Sequence, residues 1–442
     1  MKKLLYAVTA GIGVMLAPAG FSACKGASAA AAGADSAQFV RVENGEFRIG
    51  DSVYRFVGTN FWYGAILASE GRGGDRARLA RELDLMQRTG IDNVRVLVGA
   101  DGDENQPNHV MPVLQTAPGV YNDTILDGLD YLMAELEKRG MKAVLFLNNA
   151  WEWSGGYGTY LEWAGAGHQP NPAIDGYPAY MEAMAAFCTN DSAKALAIDH
   201  ARRMAARTNR YTGRPYAESP AIMSWQVANE PRAFSGDSAV KAAFADYIIA
   251  TARAIKAEDP NHMVSTGSEG LHGCEYDMAL WRRIHVAPEI DYGILHLWPY
   301  NWSWIDSTTV ASGVDTAFAK AVAYITPHYE AMRAAGKPLV LEEFGYPRDN
   351  MATAPGSATT GRDGFYSRIF NLIATSGMIN GCNFWGWGGY AMPPHKTWQP
   401  WDPYTGDPAQ EPQGLNSVFA ADSSTLAIIR SSVDAIKNAR HE

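Results

Sequence analysis

The sequence predicts an α/β protein built as a single (β/α)8 barrel of the TIM type, and three observations support this fold class. Short apolar runs typical of buried strands alternate with amphipathic helical patterns, which implies right-handed parallel strand–helix units. Eight such runs occur between residues 54 and 385, and eight strands close a barrel. Two of the runs end in a glutamate, at the strand edge where barrels of this type carry their reactive groups.

The eight predicted strands are apolar runs bounded by turn residues or by helical patterns. They are Tyr54–Asn60, Asp92–Val98, Ala143–Leu147, Ile222–Ala228, His262–Thr266, Tyr292–Leu297, Leu339–Glu343 and Gly381–Trp385. A small hairpin, Phe39–Ile49, precedes the first strand and turns around Asn44–Gly45.

The segments between the strands show helical spacing of apolar residues. In the first segment Leu79, Leu83 and Met86 recur at i, i+4 and i+7, and Gly90 follows as a C-cap. The later helices are predicted over residues 129–140, Ala193–Arg207, residues 240–248, Ala279–Ile284, Ala317–Ala335, Phe365–Ile373 and Thr425–Asn438. The stretch 148–175, with three tryptophans among glycines, is predicted as a long functional loop.

A doubly wound sheet is the alternative fold for this alternation of strands and helices. It would place a glycine-rich phosphate-binding turn after its first strand. The first strand here runs into Gly58-Thr59-Asn60-Phe61-Trp62, which is not such a turn. The barrel is therefore the better prediction.

The composition limits the classes of partner. With 442 residues and 47% hydrophobic content the chain can bury a full core. Its net charge of −10 argues against nucleic acid and against an anionic membrane surface as partners. The 13 tryptophans and 21 tyrosines suit an aromatic core, and they equally suit stacking against the flat faces of sugars.

The N-terminus has the form of a secretory signal. A basic start at Lys2 and Lys3 is followed by the apolar stretch 4–20, and residues 1–23 are predicted as a signal peptide. The end of this stretch, Phe21-Ser22-Ala23-Cys24, resembles a bacterial lipoprotein cleavage box with Cys24 as the lipidated residue. Plain signal cleavage near the same point is the alternative, because leucine is usual where Phe21 stands.

Residues 24–38 are predicted as an Ala/Gly/Ser-rich tether and 39–442 as the barrel domain. We expect a secreted or cell-envelope protein, an outer-membrane lipoprotein if Cys24 is lipidated, with no other membrane contact. The remaining cysteines, Cys188, Cys274 and Cys382, have neither disulfide-framework nor metal-ligand spacing. We therefore expect no metal and no cofactor in the chemistry.

Two strand-terminal acids carry the predicted chemistry. The apolar run 222–228 ends in Asn229-Glu230-Pro231, and the run from Leu339 ends in Glu343. Glycoside hydrolysis needs one carboxylic acid to protonate the leaving oxygen and one carboxylate across the sugar, and a separation of about 5–5.5 Å makes the second a nucleophile. Because strand neighbours point to opposite faces, we expect Glu342 to face the helix layer.

These motifs resemble glycoside hydrolase family 5, and more narrowly its bacterial and plant-type endo-β-1,4-mannanases. The resemblance runs nearly from end to end of the chain. Besides the two glutamate motifs it rests on Gly58–Tyr63, Asn93-Val94-Arg95, Ser265–Gly270, His296–Trp302, Asn383–Gly389, Asp407-Pro408 and Gln410–Phe419.

The resemblance implies a role for each matching residue. Glu230 would be the acid/base and Glu343 the nucleophile. Asn229 would bind the 2-hydroxyl of the reacting sugar, and Arg95 would bind the nucleophilic carboxylate and favour its charged form. His296 would line the same subsite.

Tryptophans complete the expected substrate site. The resemblance makes Trp385 the stacking platform under the reacting sugar. Most family members have a tyrosine two residues after the histidine, where this chain has Trp298, so the donor to the nucleophile could be Tyr300 or another group. Candidates for outer subsites, or else for the core, are Trp62, Trp151, Trp153, Trp302 and Trp304.

The predicted function is a retaining endo-β-1,4-mannanase that acts as a monomer on a β-mannan polysaccharide. A β-1,4-glucanase of the same family is the first alternative, because the two glutamate motifs do not distinguish glucose from mannose. A non-catalytic glycan-binding lipoprotein is the second, although two close carboxylates would only cost a binding protein stability.

Overall fold

The computed structural model describes residues 38–439. The predicted signal peptide, Cys24 and all but the last residue of the tether lie outside the described residues. Within residues 38–439, no helix is both long and apolar enough to span a membrane.

Eight parallel strands form the barrel, and the predicted fold class is confirmed. The strands are β4 (Phe56–Asn60), β5 (Asn93–Leu97), β8 (Lys142–Phe146), β9 (Ile222–Gln226), β10 (Met263–Ser265), β11 (Gly293–Leu297), β12 (Leu339–Phe344) and β13 (Gly381–Phe384). Each predicted strand is found with its ends within two residues of the expected positions. The hydrogen-bonded order is β10-β9-β8-β5-β4-β13-β12-β11. Between β10 and β11 the Asp291 amide donates to the Val264 carbonyl at 2.9 Å, which brings the two edges of the sheet together.

A small three-stranded sheet covers the amino-terminal end of the barrel. It consists of β1 (Val40–Glu43), β2 (Glu46–Ile49) and β3 (Ser52–Val53), all antiparallel. Its first two strands are the predicted hairpin. Phe47 packs edge-on against Tyr292, with ring centroids 5.3 Å apart, and joins an apolar cluster inside the barrel. This end of the barrel is thus filled with apolar side chains.

Twelve α-helices are found in the described part of the chain, and eight of them match predicted ones. They are α1 (Gly64–Leu67), α2 (Arg76–Thr89), α3 (Asp123–Lys138), α4 (Gly156–Trp163), α5 (Pro172–Asp175), α6 (Tyr177–Met184), α7 (Asp191–Ala205), α8 (Ser238–Glu258), α9 (Met278–His285), α10 (Val314–Ala335), α11 (Thr360–Ser376) and α12 (Ser423–Lys437). Gly90 caps α2 at φ 88°, as its position predicts. The stretch 148–175 is not a plain loop, because it contains α4 and α5.

The segment that follows the last barrel strand borders the mouth of the barrel and is fixed by buried acids. Asp407 accepts hydrogen bonds from the backbone amides of Gly414, Asn416 and Ser417 at 2.8 to 3.1 Å. Glu82 on α2 accepts a 2.9 Å hydrogen bond from the Trp387 indole. These bonds hold the segment 387–417 as a wall of the mouth. The short strand β14 (Trp387–Gly389) begins this segment and pairs with β15 (Val418–Phe419), which follows it. Elsewhere, β6 (Gln115–Ala117) and β7 (Val120–Tyr121) form a further hairpin.

Candidate active site

The two strand-terminal glutamates share one pocket of about 390 Å3 at the carboxyl edge of the barrel. Glu343 belongs to β12, and Glu230 follows β9 by four residues. Glu230 has φ 47°, a left-handed backbone that non-glycine residues adopt rarely. The pocket is lined by Trp151, Trp153, Tyr177, Asn229, Glu230, Arg232, Glu269, Trp298, Asn301, Trp302, Glu343, Trp385, Pro408, Gln410 and Glu411.

The carboxyl groups of Glu230 and Glu343 lie close together, with His296 between them. One oxygen of each carboxyl and one ring nitrogen of His296 all lie within 4.8 Å of one another. The His296 Nδ1 atom is 2.8 Å from Glu230 Oε1 and 3.3 Å from Glu343 Oε2. Burial lowers the pKa of His296 well below its usual range, so the ring is neutral and its Nδ1 atom can share a hydrogen bond with the acids. Carboxyl oxygens this close are compatible with the shorter carboxyl separation of retaining hydrolysis, about 5–5.5 Å.

Arg95 on β5 connects the nucleophile candidate with residues of β4 and β9 through hydrogen bonds. Its Nη1 atom donates to Glu343 Oε1, and its Nη2 atom donates to Asn229 Oδ1 at 3.0 Å. The remaining donors reach Gln226 at 2.9 Å and Asn60 at 3.1 Å. The Arg95 side chain is fully buried, so its charge acts on Glu343 with little screening by solvent.

Glu342 does not face the helix layer, and that expectation was wrong. In the pairing of β11 with β12, Leu295 lies opposite Leu341 while His296 lies opposite Glu343, so Glu342 is an extra residue in a β-bulge. The bulge lets both neighbouring glutamates face the barrel interior. There Glu342 accepts a hydrogen bond from Gln226 and lies 4.0 Å from Arg95 Nε.

Trp298 itself supplies the donor that the expected tyrosine would give. Its indole Nε1–H donates to Glu343 Oε2 at 3.3 Å, from a ring that packs edge-on against Trp385 at 5.6 Å. Tyr300 is not needed for this contact. At this position the indole N–H of Trp298 therefore takes the place of the tyrosine O–H that is usual in the family, and it still donates to the nucleophile candidate.

The electrostatics of the pair allow one proton to be shared between the two carboxyls. Burial raises the pKa of Glu343 well above its usual range; Arg95 opposes the rise, and nearby Glu230 adds to it. Burial also raises the pKa of Glu230, against the charge of Arg232 and the hydrogen bond from Trp151. Two carboxyls this close do not ionise independently, so the pair titrates as a unit. The direct contact of Arg95 with Glu343 favours the charge there and the proton on Glu230.

The tryptophans divide between pocket and core. Trp153 and Trp385 line the pocket, as do Trp151 and Trp302. Trp62 does not: it is only 1% exposed, donates to the Gly406 carbonyl at 3.0 Å and packs among other aromatic rings. Of the two alternatives given for Trp62, its burial supports a place in the core rather than in an outer substrate subsite. Trp304 lies outside the pocket, in a neighbouring groove.

Several pocket residues were not found from the sequence. Arg232, Glu269, Gln410 and Glu411 bring charged or amide groups into the pocket wall. Both Gln410 and Glu411 have a buried side-chain oxygen without a hydrogen-bond partner. The available signal was their place in the sequence: Glu269, Gln410 and Glu411 lie within segments that supported the family resemblance, and Arg232 lies two residues after Glu230.

The trio Glu230, His296 and Glu343 is also the group of residues 38–439 whose atoms are close enough to hold a metal ion. The carboxyl oxygens of Glu230 and Glu343 already accept hydrogen bonds from Arg95 and from the indole N–H groups of Trp151 and Trp298. The guanidinium charge beside the nucleophile candidate further disfavours a cation. The arrangement therefore suits proton transfer and nucleophilic attack better than metal binding.

A model of the glycoside hydrolase family 5 β-mannosidase-like family matches residues 37–441. The chain belongs to this family. A crystal structure of a family 5 mannosidase from Rhizomucor miehei, in complex with mannosyl-fructose, is 31% identical to this chain, with a TM-score of 0.82 over 91% of this chain and 98% of that one.

Two further comparisons concern a curated relative and a solved structure. Mannan endo-1,4-beta-mannosidase 1 of Arabidopsis thaliana is 27% identical over 357 residues, which cover 76% of this chain and 78% of the relative. An endo-1,4-beta-D-mannanase from Thermotoga petrophila is 22% identical with a TM-score of 0.63, over 86% of this chain and 99% of that one. At that identity the second likeness shows the shared barrel alone.

The Glu411 carboxyl makes a pH-dependent contribution to stability. Burial raises its pKa to about 8, and the neighbouring charges of Asp407 and Glu230 add to the rise. Because the folded state holds this proton more tightly than the unfolded state, the contribution is complete below about pH 4.5 and is lost as the pH rises through 8. Glu411→Gln should therefore raise the Tm by a few degrees at pH 9 and have a smaller effect at pH 5. Thermal unfolding at both pH values, with Glu182→Gln at an exposed site as control, checks this; a difference that does not grow with pH would contradict it.

Proposed function

We propose that this family 5 enzyme is a retaining endo-β-1,4-mannanase in which Glu230 is the acid/base and Glu343 the nucleophile. The observation that carries the proposal is the pair of carboxyls with oxygens within 4.8 Å of each other, of which only Glu343 is bound by the Arg95 guanidinium. One charged and one protonated carboxyl are the two groups that double displacement requires.

In the first step Glu343 attacks the anomeric carbon while the Glu230 proton passes to the leaving oxygen. The bond between the anomeric carbon and that oxygen breaks, and a glycosyl ester forms on Glu343. Arg95 and Trp298 keep the attacking carboxylate in place. Asn229, which lines the pocket beside Glu230 and is fixed by Arg95, is positioned to bind the 2-hydroxyl of the sugar.

In the second step Glu230, now ionised, takes a proton from water as the water attacks the anomeric carbon. The ester bond to Glu343 breaks, and Glu230 regains its proton for the next cycle. Two inversions give net retention. Once Glu343 is esterified its negative charge is gone, which lowers the cost of charging Glu230 and suits it to act as a base.

The choice of mannose over glucose rests on the relatives. The family 5 structure at 31% identity is a mannosidase bound to mannosyl-fructose, and the Arabidopsis relative is a mannan endo-mannosidase. A mannoside differs from a glucoside in its axial 2-hydroxyl, which would lie near Asn229. These relatives support a mannan substrate over the β-1,4-glucanase alternative, and the complete acid pair supports an enzyme over a glycan-binding protein.

An exo-acting β-mannosidase is the second candidate. The mannosidase from Rhizomucor miehei superposes with a TM-score of 0.82, higher than the 0.63 of the Thermotoga endo-mannanase. Gln410 and Glu411 on the segment 387–417 also form part of the pocket wall. A wall that blocked one end of the cleft would release mannose from chain ends, whereas an open cleft would cleave internally.

We also propose export of this enzyme to the cell envelope with a lipid on Cys24. The basic start, the apolar stretch 4–20 and the box ending at Cys24 support this proposal. Expressed with its own leader in a Gram-negative host, the wild type should fractionate with membranes, and Cys24→Ser should release it into the soluble fraction. Wild-type protein found free in the medium would favour plain secretion.

Product analysis tests the proposed function. Purified wild type should cleave manno-oligosaccharides at internal bonds and leave cello-oligosaccharides of matched length intact. Glu343→Ala should lower the rate at least about 10³-fold, because it removes the nucleophile. Release of mannose alone from chain ends would support the exo candidate, preferential cleavage of the cello series would support the glucanase, and no hydrolysis of either series would overturn the proposal.

A further inference from the structure

The indole of Trp151 binds the carboxyl that we assign as the acid/base. Its Nε1–H donates to Glu230 Oε2 at 2.7 Å. Three aromatic rings surround the indole: it packs edge-on against Tyr177 and Phe234, with centroids 5.9 and 5.4 Å away, and lies nearly parallel to Tyr180 at 6.3 Å. The indole is therefore held as part of a packed aromatic group, and its N–H has a defined direction.

The guanidinium of Arg232 lies 5.1 Å from the centroid of the Trp151 ring, a cation–π contact. Its position is fixed by Glu269, whose Oε2 accepts from Arg232 Nε at 2.6 Å and also pairs with Nη2. The Glu269 side chain is 3% exposed and that of Arg232 is 19% exposed. A pair this shielded from water holds a more defined geometry than a surface ion pair.

Glu269 is in turn anchored to the other partner of the acid. Its backbone carbonyl accepts from the His296 amide at 3.2 Å and from the Tyr324 hydroxyl at 2.9 Å. The His296 ring faces Glu230 Oε1 at 2.8 Å. Both oxygens of Glu230 are thus held by groups that connect to Glu269, one through Arg232 and Trp151 and the other through His296.

We propose that Arg232 and Glu269 are positioning residues that act through Trp151 to orient the Glu230 carboxyl for proton transfer to the leaving oxygen. This inference rests on the proposed function. Arg232 alone would work against the acid, because its charge favours the ionised form of Glu230. Glu269 balances that charge while it fixes the guanidinium over the indole, so the pair aligns the acid without removing its proton.

A double-mutant cycle with two leaving groups tests this proposal. The variants are Trp151→Phe, which removes the N–H and keeps an aromatic ring, Arg232→Met, which removes the cation and keeps an unbranched stem, and their combination. Phenyl and 2,4-dinitrophenyl β-mannobiosides are the substrates. Phenolate leaves poorly and needs the acid, whereas dinitrophenolate leaves without a proton, and kcat/KM for both reports the first step.

We expect each single variant to lower kcat/KM about tenfold on the phenyl substrate and less than about twofold on the dinitrophenyl substrate. The combined variant should be no worse than Trp151→Phe alone, because Arg232 acts through the indole. Arg232→Lys keeps a charge that can pair with Glu269 and should recover part of the loss. Arg253→Met, which removes an exposed arginine paired with Glu289 on the outer face, is the matched control and should leave both substrates unaffected.

Equal losses on the two substrates, or losses that multiply in the combined variant, would overturn the proposal. Equal losses would indicate that Arg232 binds substrate directly or that the fold is disturbed, and Tm values of all variants separate these two readings. The failure of the proposed function looks different: wild-type protein would then hydrolyse neither mannobioside. If the wild type is active and none of the variants changes kcat/KM on either substrate, the positioning role is excluded and the mannanase assignment is unaffected.

Discussion

The buried guanidinium of Arg95 is the charge on which the site depends. Three carboxyls converge on the interior of the barrel at its carboxyl edge, and Arg95 contacts Glu343 directly and lies within 4.0 Å of Glu342. Buried carboxylates without a partner are costly. One arginine therefore makes a negative charge on Glu343, the proposed nucleophile, tolerable in a closed core. Glu230, the proposed acid/base, has no such direct contact with Arg95.

The same guanidinium makes the geometry of the site a property of the barrel. Its N–H groups donate to Asn60 on β4, to Gln226 on β9 and to Asn229, three residues beyond β9. Its Nη1 atom also donates to Glu343 on β12. Strands that are joined by backbone hydrogen bonds are thus also joined through the side chain of Arg95. The loops contribute differently: Trp151, Arg232 and Glu269 come from segments beyond the strand ends and are held by contacts among themselves. Glu343 is therefore positioned mainly by the sheet, whereas Glu230 is contacted by a loop through Trp151 and by the sheet through His296 of β11.

The barrel could be predicted from the sequence because buried parallel strands appear in it as continuous runs of apolar residues. The two glutamates followed from their position at the ends of such runs. The β-bulge at Glu342 could not be predicted, since an extra residue in one strand changes the pairing and leaves the composition unchanged. The same limit applies to Trp62 and Trp153: both follow strands in aromatic stretches, and only the packing of distant segments places one in the core and the other in the pocket.

The most direct test of this account is to trap the covalent intermediate. A 2-deoxy-2-fluoro-β-mannosyl fluoride slows both steps but carries a good leaving group, so the ester should accumulate on the nucleophile. Proteolysis and mass spectrometry of the inactivated wild type should find the label on the Glu343 carboxyl. A label on Glu230 or Glu342 would contradict the assignment of roles, and turnover without any label, with inverted first-formed product, would contradict double displacement itself.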